Sequence, residues 1–414
     1  MAKKISLLLA LLLLIMPLGA APAYADGEEE DSLELMSPRS YYSQLEGRGV
    51  SINVYNWGEY ISDGSDDMLN VNKAFEEATG IKVYYSTYAT NEELYSKLRG
   101  GGAQYDVIIP SDYMISRMIS EDMLEPLDFA NIPNFQFIDD IFRSPAYDPE
   151  RRFSVPYTWG MVGIIYNTER IDPEEVTSWE ILWDEKYMGD ILMFSNPRDA
   201  FAIAQQRLGY SLNTADPDEL ADCLRLLQDQ KFLVQAYVMD EIFDKMLGGE
   251  AALAPYYAGD AFTMMGENPL LGFSVPDEGT NIFVDAICIP KGSKSKLAAE
   301  LYINFLCEPA VSAANGEYIG YALPSSAAID LLDEEISGSP VAYPPQSVID
   351  NAEYFSELPR DANLLMDQMW TELLSTDERY NRLLIPVFLV AAVAASILIN
   401  VMRSRRKKRQ KNYF

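Results

Sequence analysis

Between residues 51 and 120 the chain alternates short apolar, β-branched segments with helical patterns and joins them by only a few residues each. Residues 52–55 alternate apolar and polar side chains and read as a strand. Met68, Val71, Phe75 and Ala78 then recur at helical spacing until Gly80 stops the helix. A second strand is expected over 81–86, and a helix over 91–99 closed by Gly100, Gly101 and Gly102. The strongly apolar run 105–110 reads as a third strand from the middle of a parallel sheet, followed by a helix to about Ser120. Short links of this kind impose parallel neighbours and right-handed crossovers. The turns after the three strands therefore share one sheet edge, which places Trp57, Glu59, Tyr60, Thr87, Ser111, Asp112 and Tyr113 along one rim. In open α/β sheets, ligands bind outside the carboxyl ends of the strands.

A second α/β set follows. Residues 154–160 lead into a strand over 162–167, and 178–187 reads as a helix on which Trp179 and Trp183 form a packing stripe. Strands are expected over 191–194, 232–237, 251–256 and 282–290. Helices are expected over 197–208, 217–230, 240–247, 294–306, 309–316, around 345–357, and over 361–374. About 330 ordered residues exceed what one core accommodates, so two α/β lobes with a ligand cleft between them are expected.

The ends set expectations about location. Residues 1–25 have the pattern of a secretory signal peptide: Lys3 and Lys4, an apolar run, then Ala23-Tyr24-Ala25. Residues 26–50 are acidic and polar without sustained period, and read as a linker. Residues 383–402 are apolar except for Asn400, long enough for a transmembrane helix, and a basic tail follows over 403–414. Positive charge stays cytoplasmic. The expected location is therefore the cell membrane, single-pass, with the binding domain extracellular or periplasmic and the C-terminus cytoplasmic. A stop-transfer tail accounts for the basic cluster, and nucleic acid is not an expected partner.

The net charge is −31, and the portion between Lys4 and Met402 is near −40 once the basic ends are set aside. Such a field disfavours anionic ligands and steers cations. The chain contains no histidine, which removes Ser-His-Asp and Cys-His catalysis and the usual zinc sets. Cys223, Cys288 and Cys307 lack metal-ligand spacing; Cys288 and Cys307 either pair or remain free thiols. No metal or cofactor is expected. Trp57, Tyr60 and Glu59 suit an organic cation, because rings offer negative π-faces and a carboxylate accepts N–H groups. The competing reading makes those rings core aromatics beneath a loop. Asp285, on an otherwise apolar strand, is the acid least easily explained by structure alone, since a buried carboxylate needs a partner.

The ordered set YNWGEY at 55–60, TGIKV at 79–83, YDVIIPSDY at 105–113, VPYTWG at 155–160, VTSW at 176–179, NIFVD at 281–285 and YIGY at 318–321 resembles the spermidine/putrescine-binding proteins of bacterial ABC importers. These are type II periplasmic solute-binding proteins. The resemblance implies a two-lobed fold, with lobe one at 50–160 and 284–329 and lobe two at 161–283 and 330–378. It also implies a polyamine in the cleft and delivery to ABC permease subunits after lobe closure, without catalysis. The ligand set carried over by position is Trp57, Glu59, Tyr60, Ser111, Tyr113, Asn196, Asp199, Tyr257, Phe283, Asp285 and Tyr321, to which Asp260 adds an acid. Asn196 stands where the family pattern has a carboxylate, Tyr257 and Phe283 where Trp is common, and Gly58 where Thr or Ser is common. Alternatives are the same fold binding another small solute, and an exported glycosidase using two carboxylates.

Overall fold

The computed structural model describes residues 33–101 and 104–375. Among these residues ten strands form the framework: β1 (Ser51–Trp57), β2 (Lys82–Tyr88), β3 (Val107–Ile108), β4 (Ser154–Asn167), β5 (Ile191–Phe194), β6 (Val234–Val238), β7 (Leu253–Tyr257), β8 (Leu271–Ser274), β9 (Thr280–Cys288) and β10 (Ala352–Tyr354). Their order is β2-β1-β3-β9-β4-β7-β5-β6, with β10 beside β9 and β8 beside β4. β1 pairs parallel with β2 and β3, and β5 pairs parallel with β6 and β7, each set as a short-linked α/β pattern requires.

Two strands join these sets. β4 runs for 14 residues, all buried. Its first half, Ser154 to Met161, pairs antiparallel with β9, and its second half, Val162 to Tyr166, pairs antiparallel with β7. The result is a two-lobed α/β fold in which β4 passes from one wing of the sheet into the other. Pro156 interrupts the β4–β9 register, and a bulge at this point re-aims the side chains that follow.

Local sequence explains the helices that carry the site. The helix Pro197–Leu208 starts where the Asn196 side chain accepts from the Asp199 N–H, has Pro197 in its first turn, and ends at left-handed Gly209. The helix Asn91–Arg99 is capped by the Thr90 hydroxyl, with Glu92 and Glu93 at its positive end. Residues 178–187 form two 3-10 turns rather than a helix, and both Trp side chains are structural. Trp179 Nε1 donates to the Gly279 carbonyl at 3.0 Å, and Trp183 Nε1 to that of Leu226 at 2.9 Å. The helix Ala258–Glu267, strand β8 and strand β10 are additions to the expected set.

Two expectations are corrected, and the alternative left open for the cysteines is decided. Residues 36–48 are not a loose linker: Tyr42 is fully buried, and the buried Glu308 carboxylate accepts from the Met36 and Ser37 N–H groups and the Tyr42 hydroxyl. The expected transmembrane helix and single-pass cell-membrane location find no support: among the described residues no helix is long and apolar enough to cross a membrane. The longest of them, Arg360–Ser375, has 16 residues and carries Arg360, Asp361, Asp367 and Glu372. The segments at 383–402 and 403–414, and the signal peptide at 1–25, lie outside the described residues. Of the two alternatives for Cys288 and Cys307, free thiols are found: Cys223, Cys288 and Cys307 are separate and buried.

Candidate functional site

The ends of β1, β3 and β7, the turn after β6, and the middle of β9 open onto one cleft, with about 640 Å³ of space between atoms, open solvent included. Eleven of the twelve sequence-predicted ligand residues line it: Trp57, Tyr60, Ser111, Tyr113, Asn196, Asp199, Tyr257, Asp260, Phe283, Asp285 and Tyr321. Glu59 does not. It takes a left-handed conformation (φ 48°) and its side chain is exposed. Thr87 and Asp112 from the expected rim are also outside the lining, Thr87 being exposed and Asp112 buried behind Tyr113.

The rings form a connected wall. Tyr60 meets Tyr321 edge-on at 4.7 Å, Tyr321 lies 6.4 Å from Phe283, and Phe283 lies 5.5 Å from Tyr257. Gly259 makes room for Tyr321: a Cβ there would sit 2.1 Å from the ring. On the opposite side, Trp57 Nε1 donates to the Ile109 carbonyl at 2.8 Å, which fixes the indole plane. Tyr113 packs edge-on against Phe355 at 5.6 Å.

Five carboxylates line the same space, Glu92, Asp199, Asp240, Asp260 and Asp285, and no Lys or Arg is among the described lining residues. Asp285 is 4 % exposed; its Oδ2 accepts from the Tyr60 hydroxyl at 2.5 Å, while its Oδ1 has no hydrogen-bond partner. Burial pushes its pKa up to about 6, against the opposing pull of the nearby Ser111 and Tyr60 hydroxyls. Asp199 Oδ2 accepts from the Tyr257 hydroxyl at 2.6 Å and from Asn196 Nδ2 at 2.8 Å. Asn196 is therefore committed to capping and to Asp199, and its amide nitrogen also lies 3.6 Å from Met239 Sδ. Glu92 Oε1 accepts from the Tyr113 hydroxyl at 3.1 Å, and its buried Oε2 has no partner. Burial raises the pKa of Glu92, Asp199 and Asp260 as well, with neighbouring acids adding to the shift at Glu92 and Asp260; at the more exposed Asp240 partial desolvation and the nearby Glu241 and Glu59 raise it.

Desolvated, mutually repelling carboxylates with bare oxygens hold protons above their usual range, and a cation entering among them restores their charge. The chemistry offered is reception of a positively charged group between aromatic faces. Glu92, Asp240 and Phe355 were not anticipated. Phe355 follows β10, and its ring lies 4.3 Å from the Arg198 guanidinium carbon behind the wall.

A two-lobed α/β fold around a cleft of this kind defines a solute-binding protein. Residues 70–342 match the bacterial extracellular solute-binding protein family, and the chain belongs to it. It is 35 % identical over 310 residues to the spermidine/putrescine-binding periplasmic protein of Escherichia coli, covering 74 % of this chain and 87 % of that one. The solved structure of a putative spermidine/putrescine ABC transporter from Listeria monocytogenes superposes with a TM-score of 0.75 at 34 % identity, over 78 % of this chain and 99 % of that one. The spermidine/putrescine ABC transporter substrate-binding protein PotD of Streptococcus pneumoniae gives 0.66 at 33 % identity, over 78 % and 98 %.

Proposed function

We propose that this protein captures a linear polyamine in the cleft and presents it to the permease subunits of an ABC importer. The observation that carries the reading is the lining itself: a connected aromatic wall, five acids, no basic residue, and the buried Asp285 Oδ1 left without a partner. Ammonium groups supply the missing donors, and methylenes between them lie against the rings. Each ring over a cation contributes about 0.5–2 kcal/mol. The similarity to a spermidine/putrescine-binding periplasmic protein supports the same ligand class.

The proposed lobes are 50–160 with 284–329, and 161–283 with 330–378. The change of β4 partner between Met161 and Val162 supports the first of these borders. A ligand held by Trp57, Tyr60 and Asp285 on one side and by Asp199, Tyr257 and Asp240 on the other would favour the state in which both sets touch it. Calorimetric titration of the full chain with putrescine, spermidine and spermine, with maltose and glutamate as controls, tests the reading. One-to-one saturable binding of a polyamine supports it. A folded sample that binds none of the three overturns it.

A further inference from the structure

Asp285 owes its orientation to more than Tyr60. The Tyr60 hydroxyl lies within hydrogen-bond reach of two groups, Asp285 Oδ2 and the Thr158 hydroxyl. Thr158 is 0 % exposed and stands on β4 directly opposite Asp285 on β9, just past the register shift at Pro156. An ionised Asp285 only accepts, so Tyr60 donates its single proton to Oδ2. The Tyr60 oxygen then acts as acceptor toward Thr158, and the Thr158 proton is the one that fills it. The direction of the chain is thereby fixed: Thr158 to Tyr60 to Asp285.

The backbone around Tyr60 is held by the same strand. The Tyr157 hydroxyl donates to the Tyr60 carbonyl at 2.8 Å and accepts from Asn315 Nδ2 at 2.8 Å, while Asn315 Oδ1 accepts from the Ser62 N–H at 2.9 Å. The bulged stretch of β4 therefore supplies adjacent hydroxyls to one turn, one for its backbone and one for its ring. Both hydroxyls of the chain are spent, and of its atoms only Oδ1 of Asp285 is left without a partner.

We propose that Thr158 is a positioning residue that acts through Tyr60 to hold Asp285 ionised with Oδ1 turned toward the ligand. The inference rests on reading the cleft as a cation site. A donor feeding Tyr60 polarises its O–H and strengthens the bond it gives Asp285. The other titratable groups facing Asp285 are Tyr88 at the end of β2, Asp112, Tyr147, Tyr157, Asp199 and Asp260. No cation is among them, so hydroxyls, those of Ser111 and Tyr60, carry the task of favouring the charge.

The test compares the full chain with Thr158→Val and Thr158→Ser, titrated with spermidine between pH 5 and 8. In parallel, the Asp285 carboxyl titration is followed by carbon NMR without ligand. Thr158→Val is expected to weaken binding about ten-fold at neutral pH. It also moves the acidic limb of binding and the Asp285 midpoint upward, because the charged form has lost support. Thr158→Ser restores both. Unchanged affinity and midpoint in Thr158→Val overturn the proposal, and so does a folded Thr158→Ser as impaired as Thr158→Val. If the unsubstituted chain binds no spermidine, the polyamine reading falls, and the ligand-free midpoint alone decides: a rise upholds the chain, no change overturns it.

Discussion

Asp285 shows how an acid proposed to receive a ligand costs stability when the ligand is absent. Its pKa in the folded protein, about 6, lies above the ordinary carboxyl value of 3.8 because the site is buried. Between those two values the folded state holds more protons than the unfolded one, so stability falls as pH rises through the window and is level above it. Asp285→Asn keeps an acceptor for Tyr60 and removes the buried charge. The ligand-free variant is expected to melt higher than the parent at pH 7–8, by up to about 3 kcal/mol of added stability, with the gain gone below about pH 4. The same substitution is expected to weaken polyamine binding at least about 100-fold. Calorimetry with and without spermidine checks both, and a variant that binds normally refutes the assignment. Asp285 could be singled out from the sequence because an acid on an apolar strand is conspicuous. Glu92 and Asp240 could not, since the chain has 63 acidic residues and only long-range packing distinguishes these two.

Among the elements, the turns were the hardest to foresee. Those after β1 and β3 could be placed on one rim from strand order alone, yet left-handed Glu59 turns out of the cleft while Gly58 admits a group from elsewhere. A Cβ on Gly58 would lie 2.3 Å from Asp240 Oδ2, so glycine leaves the space that this carboxylate fills. Asp240 is exposed at the cleft mouth, where solvent screens it. Asp240→Asn is therefore expected to weaken spermidine binding only about 3- to 10-fold, with the loss shrinking as salt is raised. A loss independent of ionic strength would contradict that placement. The helix Ala258–Glu267 escaped sequence reading because Gly259 sits in its first turn, where it breaks the helical signal yet accommodates Tyr321. The segment 36–48 escaped for a different reason: its order comes from Glu308, far away in sequence. Glu308→Ala removes the acceptor of three bonds and is expected to cost about 3 kcal/mol or more. The checks are a lower denaturation midpoint and new protease cleavage within 36–48; an unchanged cleavage pattern would show that the clasp does not hold this segment.

At the scale of the whole molecule, the charge surplus and the cleft act on the same ligand at different distances. The net charge of −31 surrounds a cleft that has acids and no basic group in its lining. Far from the protein, a polycation feels the summed field, which salt screens over roughly 10 Å at 0.1 M. Inside the cleft it meets desolvated carboxylates and rings at contact distance, where mobile ions have little access. Approach and retention should therefore respond differently to salt. Raising ionic strength from about 20 to 500 mM is expected to slow spermidine association at least about ten-fold, while dissociation changes by less than about three-fold. Stopped-flow measurement using the intrinsic fluorescence of Trp57 and its neighbours separates the two rates. A salt effect carried mainly by dissociation would mean that the bound ammonium groups remain in contact with solvent ions, contrary to a cleft in which Asp285 is almost wholly buried. An association rate indifferent to salt would reduce the acidic surface to a device for solubility, leaving the aromatic wall and its few buried acids to account for capture on their own.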